Sequence, residues 1–149
     1  MIPITTLANP LPMANYSELN TNLGLLSAGI GIPFGPVTLS SAGSVVADLA
    51  TITVPFARYL PVALTIEAKT AAGTLAAATV DVRTAAAGGG ASVLTAPSAL
   101  TGVTAVDKII NVTPVATDVR TASSLYLRQT VDSGNAGTIA GVLIVRPLP

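Results

Sequence analysis

The chain of 149 residues contains no cysteine, no histidine and no tryptophan. Without cysteine it has no disulfide, no thiolate metal ligand and no thiol nucleophile. Without histidine it lacks the most frequent general base and the most frequent metal ligand, and a serine nucleophile would have no imidazole partner. We therefore expect a protein that is not an enzyme, with no catalytic residues, no cofactor and no metal site.

Charged residues are also scarce, since seven acidic and seven basic residues make up 9% of the chain and cancel in net charge. In soluble domains charged residues commonly make up about 25% of the chain. The bases are dispersed, so they form no positive stripe for phosphates, and we expect no direct nucleic-acid binding. A surface with so little charge resists self-association poorly. Such a surface is typical of a protein covered by other subunits or placed in a membrane.

The membrane alternative fails on the longest uncharged segment, residues 19–47. A spanning helix needs about 20 apolar residues without frequent helix breakers. The N-terminus has no basic region followed by a short apolar run, so we expect no signal peptide and synthesis in the cytoplasm. The breakers in the most apolar part of the segment are Gly24, Gly29, Gly31, Pro33, Gly35 and Pro36.

The sequence divides near residue 47. Residues 1–47 are rich in Pro, Asn and Gly, carry Glu18 as their one charge, and show no sustained period apart from the pattern of a short helix at 16–26 and of a strand at 37–40. They predict an extended N-terminal arm whose apolar side chains need a surface to lie on. That surface is either a partner or the chain's own β domain, and the sequence leaves both open. The candidate anchoring residues are Leu7, Leu11, Leu25, Leu26, Ile30, Ile32 and Phe34.

Residues 48–149 alternate between apolar and polar side chains with a period of two, which is typical of half-buried strands. The alternation is clearest at 50–54, 62–69, 78–83 and 125–128. Apolar runs at 92–95, 108–113 and 141–146 predict further strands, the last buried on both faces. Turn-forming residues separate these segments. About seven or eight short strands predict an all-β fold, an antiparallel β-sandwich or jelly-roll-like domain.

The motifs that would indicate chemistry are weak. Gly29 to Gly35 has neither the spacing nor the Lys-Ser/Thr pair of a phosphate-binding loop. The loop at 132–137 holds one carboxylate and predicts a hairpin turn rather than a calcium site. Glu67 stands two residues from Lys69 on an outward strand face, which favours a solvated cross-strand partner over a catalytic role.

The two-part layout resembles small virion proteins of tailed bacteriophages, and among them most of all the capsid decoration, or cement, proteins. The resemblance covers the whole chain in composition and layout: the uncharged arm, Met1 to Ala47, precedes strand sequences such as Val62-Ala-Leu-Thr-Ile-Glu-Ala-Lys69 and Ala78-Thr-Val-Asp-Val-Arg83. It implies a β-sandwich or jelly-roll-like domain, often trimeric, on the outside of the head. It transfers no catalytic residue and fixes no contact residue.

We accordingly expect a non-enzymatic structural virion protein on the capsid exterior, which reinforces a phage capsid by bridging major capsid subunits. Its partner would be the major capsid protein or another virion protein, and the chain would form a homo-oligomer, with a trimer favoured. Three alternatives stay open: a tail, baseplate or head-fibre component, a carbohydrate-binding β-sandwich module, and a hydrolase that uses two of the seven carboxylates.

Overall fold

The computed structural model describes residues 29–40, 47–71, 78–100, 106–114, 117–131 and 137–149. Every regular element in these ranges is a β-strand, which confirms the all-β fold expected from the two-residue period. The strands are β1 Ile30–Leu39, β2 Ala47–Thr53, β3 Tyr59–Ala71, β4 Thr79–Arg83, β5 Ser98–Ala99, β6 Ile109–Val112, β7 Ser124–Val131 and β8 Gly137–Pro147.

The strands form two antiparallel sheets of four strands each. Sheet A has the order β1-β8-β3-β6 and sheet B the order β2-β7-β4-β5. The first strand pairs with the last, the second with the seventh, the third with the sixth and the fourth with the fifth. This pairing arises when one long hairpin folds over to form two sheets, and it defines the jelly-roll topology. The expected β-sandwich is thereby confirmed.

The core lies between the facing sides of the two sheets. Leu64 of β3 and Leu143 of β8 come from sheet A, Leu127 of β7 comes from sheet B, and all three are fully buried. Each such side chain contributes roughly 1.5–3 kcal/mol by leaving water. Gly141 of β8 has a packing role, since a Cβ added there would lie 2.5 Å from Cζ of Phe34. The missing side chain thus leaves room for the aromatic ring.

Strand β1 lies within residues 1–47, which the sequence assigns to the arm. It pairs with β8 on one side and forms the edge of sheet A, where Pro33 and Pro36 are tolerated because an edge strand has amides without ladder partners. The sandwich therefore includes residues 30–39 as well as the predicted 48–149 domain. The remainder of the predicted arm, residues 1–28 and 41–46, lies outside the described residues.

Two strand details differ from the sequence-based expectation. Val62, expected on the inward face with Leu64, is 41% exposed because the register shifts between Pro61 and Ala63 and breaks the alternation. The strand expected at 92–95 consists of isolated bridges. The short strand β5 instead lies between the runs at 92–95 and 108–113, where turn-forming residues were expected.

Candidate interaction surfaces

Three of the seven predicted anchoring residues lie in β1. Phe34 is 7% exposed and belongs to the core, and Ile32 packs against the core. Ile30 is half-buried and pairs with the buried Val145 of β8. These residues contact the chain's own sandwich, the second of the two interpretations. The other four, Leu7, Leu11, Leu25 and Leu26, lie outside the described residues.

The outward side of sheet A, here called face A, is apolar along the middle of β8 and at most of the positions beside it. The strand registers place Pro33 and Thr65 beside Val142, and place Ala63 beside Ile144. Side chains of β6 extend the face to the opposite edge of the sheet, where one isoleucine is 63% exposed. Face A consists of Gly31, Pro33, Thr38, Leu60, Ala63, Thr65, Glu67, Lys69, Ile109, Asn111, Thr138, Ala140, Val142, Ile144 and Arg146.

Charge on face A is sparse and largely self-neutralised. Glu67 and Lys69 of β3 form an ion pair at 2.6 Å. Arg146, two residues beyond Ile144 in β8, is exposed at the end of its strand. An exposed ion pair contributes little to stability, about 0–1 kcal/mol. Face A is therefore nearly neutral and has a low density of charge.

The outward side of sheet B, here called face B, carries a row of charged side chains. The registers place Arg128 of β7 between Asp48 of β2 and Asp81 of β4. Nη1 of Arg128 lies 2.7 Å from Oδ1 of Asp48, and Nε of Arg83 lies 2.6 Å from Oδ2 of Asp81. Arg128 and Asp48 thus form an ion pair between neighbouring strands.

A loop formed by residues 84–91 covers the charged row of face B. The amide of Ala87 donates to Oδ2 of Asp48 at 2.7 Å, so the loop passes across β7 to β2. Gly88 has a φ of +77°, and a Cβ there would lie 3.0 Å from Nε of Arg128. Glycine at this position thus admits both the backbone conformation and the guanidinium beneath it.

The loop also buries Asp81, which the alternation placed on an exposed face. This carboxylate is fully buried although it points away from the core. Its Oδ1 accepts hydrogen bonds from the amide of Val82 at 2.8 Å and the hydroxyl of Ser92 at 2.5 Å, and its Oδ2 accepts one from Arg83. The carboxylate therefore ties Ser92, which directly follows the loop, to β4.

The contacts of Asp48 influence its acidity. The hydrogen bond from the Ala87 amide, and then the contacts with Arg128, hold the pKa of the Asp48 carboxyl below its ordinary value, while desolvation acts in the opposite direction. Both oxygens of Asp48 accept hydrogen bonds from protein donors. The two carboxylates nearest Arg128 thus have structural partners at every oxygen.

Two buried polar side chains join distant parts of the sandwich. Gln129 of β7 accepts from the amide of Ser40 at 2.8 Å and donates to the carbonyl of Ser40 at 2.9 Å, so it ties the end of β1 to sheet B. The hydroxyl of Tyr59 donates to the carbonyl of Ala122 at 2.8 Å, and burial raises the pKa of Tyr59 to about 12. Sequence reasoning missed both contacts, because nothing local indicates their partners.

Within the described ranges, no group of three acidic side chains is arranged to hold a metal ion. The same ranges contain no helix with the length and hydropathy needed to cross a membrane. Comparison of the chain with protein-family models, with curated proteins and with solved structures finds no match. The outward faces of the two sheets are therefore the basis of the proposed function.

Proposed function

We propose that this chain is a non-enzymatic structural virion protein that decorates and reinforces a phage capsid by bridging major capsid subunits. The observation that carries the proposal is face A, a nearly neutral apolar face on a jelly-roll domain. Jelly rolls are widespread in viral capsid proteins. Exposed apolar patches rimmed by polar residues commonly mark protein contacts.

Low charge supports attachment to a crowded lattice. Thirteen of the fourteen charged residues follow residue 47 and they include both signs, so neighbouring copies repel each other little. Many weak contacts on one particle add through their effective concentration, so no single contact needs to be strong. The proposed partner is the major capsid protein or another virion protein, and the proposed place is the capsid exterior.

The proposed attachment segment is residues 1–28, which hold four of the predicted anchors. We expect a full-length chain with Leu7, Leu11, Leu25 and Leu26 changed to Ser to lose at least tenfold in binding to capsids, because each lost leucine contact removes roughly 1.5–3 kcal/mol of apolar burial. Occupancy is measured by cryo-electron microscopy of capsids incubated with each variant. A control with Thr5, Asn9 and Thr21 changed to Ser alters the same segment and keeps binding. Equal occupancy of both variants would contradict the proposal.

Two other structural proposals share the jelly-roll domain. A tail, baseplate or head-fibre component would give density on those parts of the particle in the same images. A carbohydrate-binding module is supported by the occurrence of jelly rolls in lectins. Specific micromolar binding on a glycan array, together with absence from the particle, would favour that module.

A further inference from the structure

Strand β8 carries apolar side chains on both of its faces. Leu143 and Val145 are fully buried in the core, whereas Val142 and Ile144 point outward on face A and are half-buried. A strand with apolar side chains on both faces is typical of one covered on both faces. Face B differs, because residues 84–91 pass over it and the amide of Ala87 donates to Asp48 there.

We propose that face A is the contact surface between copies of this chain. The proposal deepens the proposed function and rests on it together with the homo-oligomer expected from the sequence, because it names the surface through which copies associate. The occupant of face A is then the same face, or a neighbouring surface, of a second copy. Ile144 and Val142 are the central residues of the contact, and Ile109 lies at its margin.

The shape of face A suits the approach of another copy. The cross-strand neighbours of Ile144 are Gly31 and Ala63, and those of Val142 are Pro33 and Thr65. Small side chains on both sides leave a low apolar ridge on β8. Packed sheets lie about 10 Å apart with interdigitated side chains, a spacing that such a ridge permits.

The size of face A matches a specific interface. At about 3.3 Å per residue and about 4.8 Å between strands, the four strands of sheet A present roughly 600 Å². Specific interfaces bury about 600–1,000 Å² on each partner. Face A thus reaches the lower end of that range before any contact from the loops is added.

Charge and edge chemistry also favour association through face A. The Glu67–Lys69 pair is internally neutral, so two apposed copies bring little like charge together. The edge of β1 is a poor place for another strand to join, because Pro33 and Pro36 lack amide protons. Association through the face of sheet A is therefore favoured over extension of the sheet at β1.

The test is the oligomeric state of the full-length chain, measured by sedimentation equilibrium from about 1 to 500 μM. We expect wild type to form a closed oligomer and Ile144→Lys to raise the dissociation constant more than tenfold, because an unpaired ammonium would be buried in the contact. Ile109→Lys, at a 63% exposed position, gives a second disruption without strain on the core. Thr51→Lys, exposed on β2 of sheet B, is the control and keeps the oligomer.

Circular dichroism of each variant establishes that the fold is retained. A monomeric wild-type chain at all concentrations overturns the inference, as does an oligomer unaffected by both Ile144→Lys and Ile109→Lys. The result is separable from the proposed function: a monomer that still coats capsids contradicts the face A contact alone. An Ile144-dependent oligomer that never binds a particle contradicts only capsid decoration.

Discussion

The outward sides of the two sheets differ in both chemistry and cover. Face B carries the Asp48–Arg128–Asp81 row, and residues 84–91 lie over it with hydrogen bonds to Asp48 of β2 and Arg83 of β4. Face A carries Val142 and Ile144 with a self-neutralised ion pair at its side. The chain thus uses polar contacts to stabilise its own fold on one side and presents apolar side chains on the other.

The contrast predicts that face B affects the stability of the single chain and that face A affects the association of copies. Substitutions on face B should lower the free energy of unfolding of a single chain, because its polar groups are satisfied within that chain. Substitutions on face A should change association and leave the unfolding of the single chain nearly unaltered. The predictions below are arranged to test that separation, beginning with the largest expected effect.

The largest difference is expected between two acidic residues on opposite faces. Asp81→Ala should reduce the free energy of unfolding by about 3 kcal/mol, because the buried partners of the carboxylate lose their acceptor. Glu67→Ala, which removes the acid of an exposed ion pair, should cost less than about 1 kcal/mol. Urea denaturation of both variants measures the difference. Similar costs would show that face B does not stabilise the fold more than face A.

The strands could be predicted from the sequence where alternation is regular. Residues 78–83 and 125–128 indicated both their strands and their core faces, because each inward residue is followed by a polar outward one. Pro33 and Pro36 concealed the first part of β1, since prolines are rare in strands and are accepted here because β1 lies at an edge, whereas the strand expected at 37–40 overlaps its last residues.

The arrangement on face B could not be predicted, because its partners are distant in sequence. Asp48 and Arg128 are 80 positions apart and meet only through the order β2-β7. Asp81 alternates as an outward residue, and its burial follows from a loop that lies over it. Alternation predicts which side of a sheet a residue faces, but it does not show what lies over that side.

A smaller effect is expected when the carboxylate of Asp48 is protonated at low pH. The folded pKa of Asp48 is lowered, so its contribution to stability is present above its unfolded value of about 3.8 and is lost as the pH falls through the lower folded value. Wild type should therefore be more stable than Asp48→Asn at pH 7, and the difference should shrink below about pH 4. Urea denaturation of both proteins from pH 7 to pH 2.5 measures it. A difference that is constant over this range would mean that the Ala87 and Arg128 contacts do not favour the carboxylate.

The smallest effect on the single chain is expected on face A, where two valines of β8 allow a matched comparison. Val142→Thr replaces an outward methyl by a hydroxyl that can reach water, so the free energy of unfolding at monomeric concentrations should change by less than about 0.5 kcal/mol. Val145→Thr places the same hydroxyl in the core and should cost about 1–3 kcal/mol.

For association, the sizes of the two effects should be reversed between the same two variants. Val142→Thr should weaken the oligomer at concentrations where wild type associates, because the hydroxyl loses water when a second copy covers the face. Val145→Thr should leave association unchanged while the chain is folded, since the core side chain contacts no partner. Thermal unfolding at low and high protein concentration measures both effects. If Val142→Thr lowered the stability of the dilute chain as much as Val145→Thr does, residues of the same chain would have to bury face A, and the contrast between the two faces would be lost.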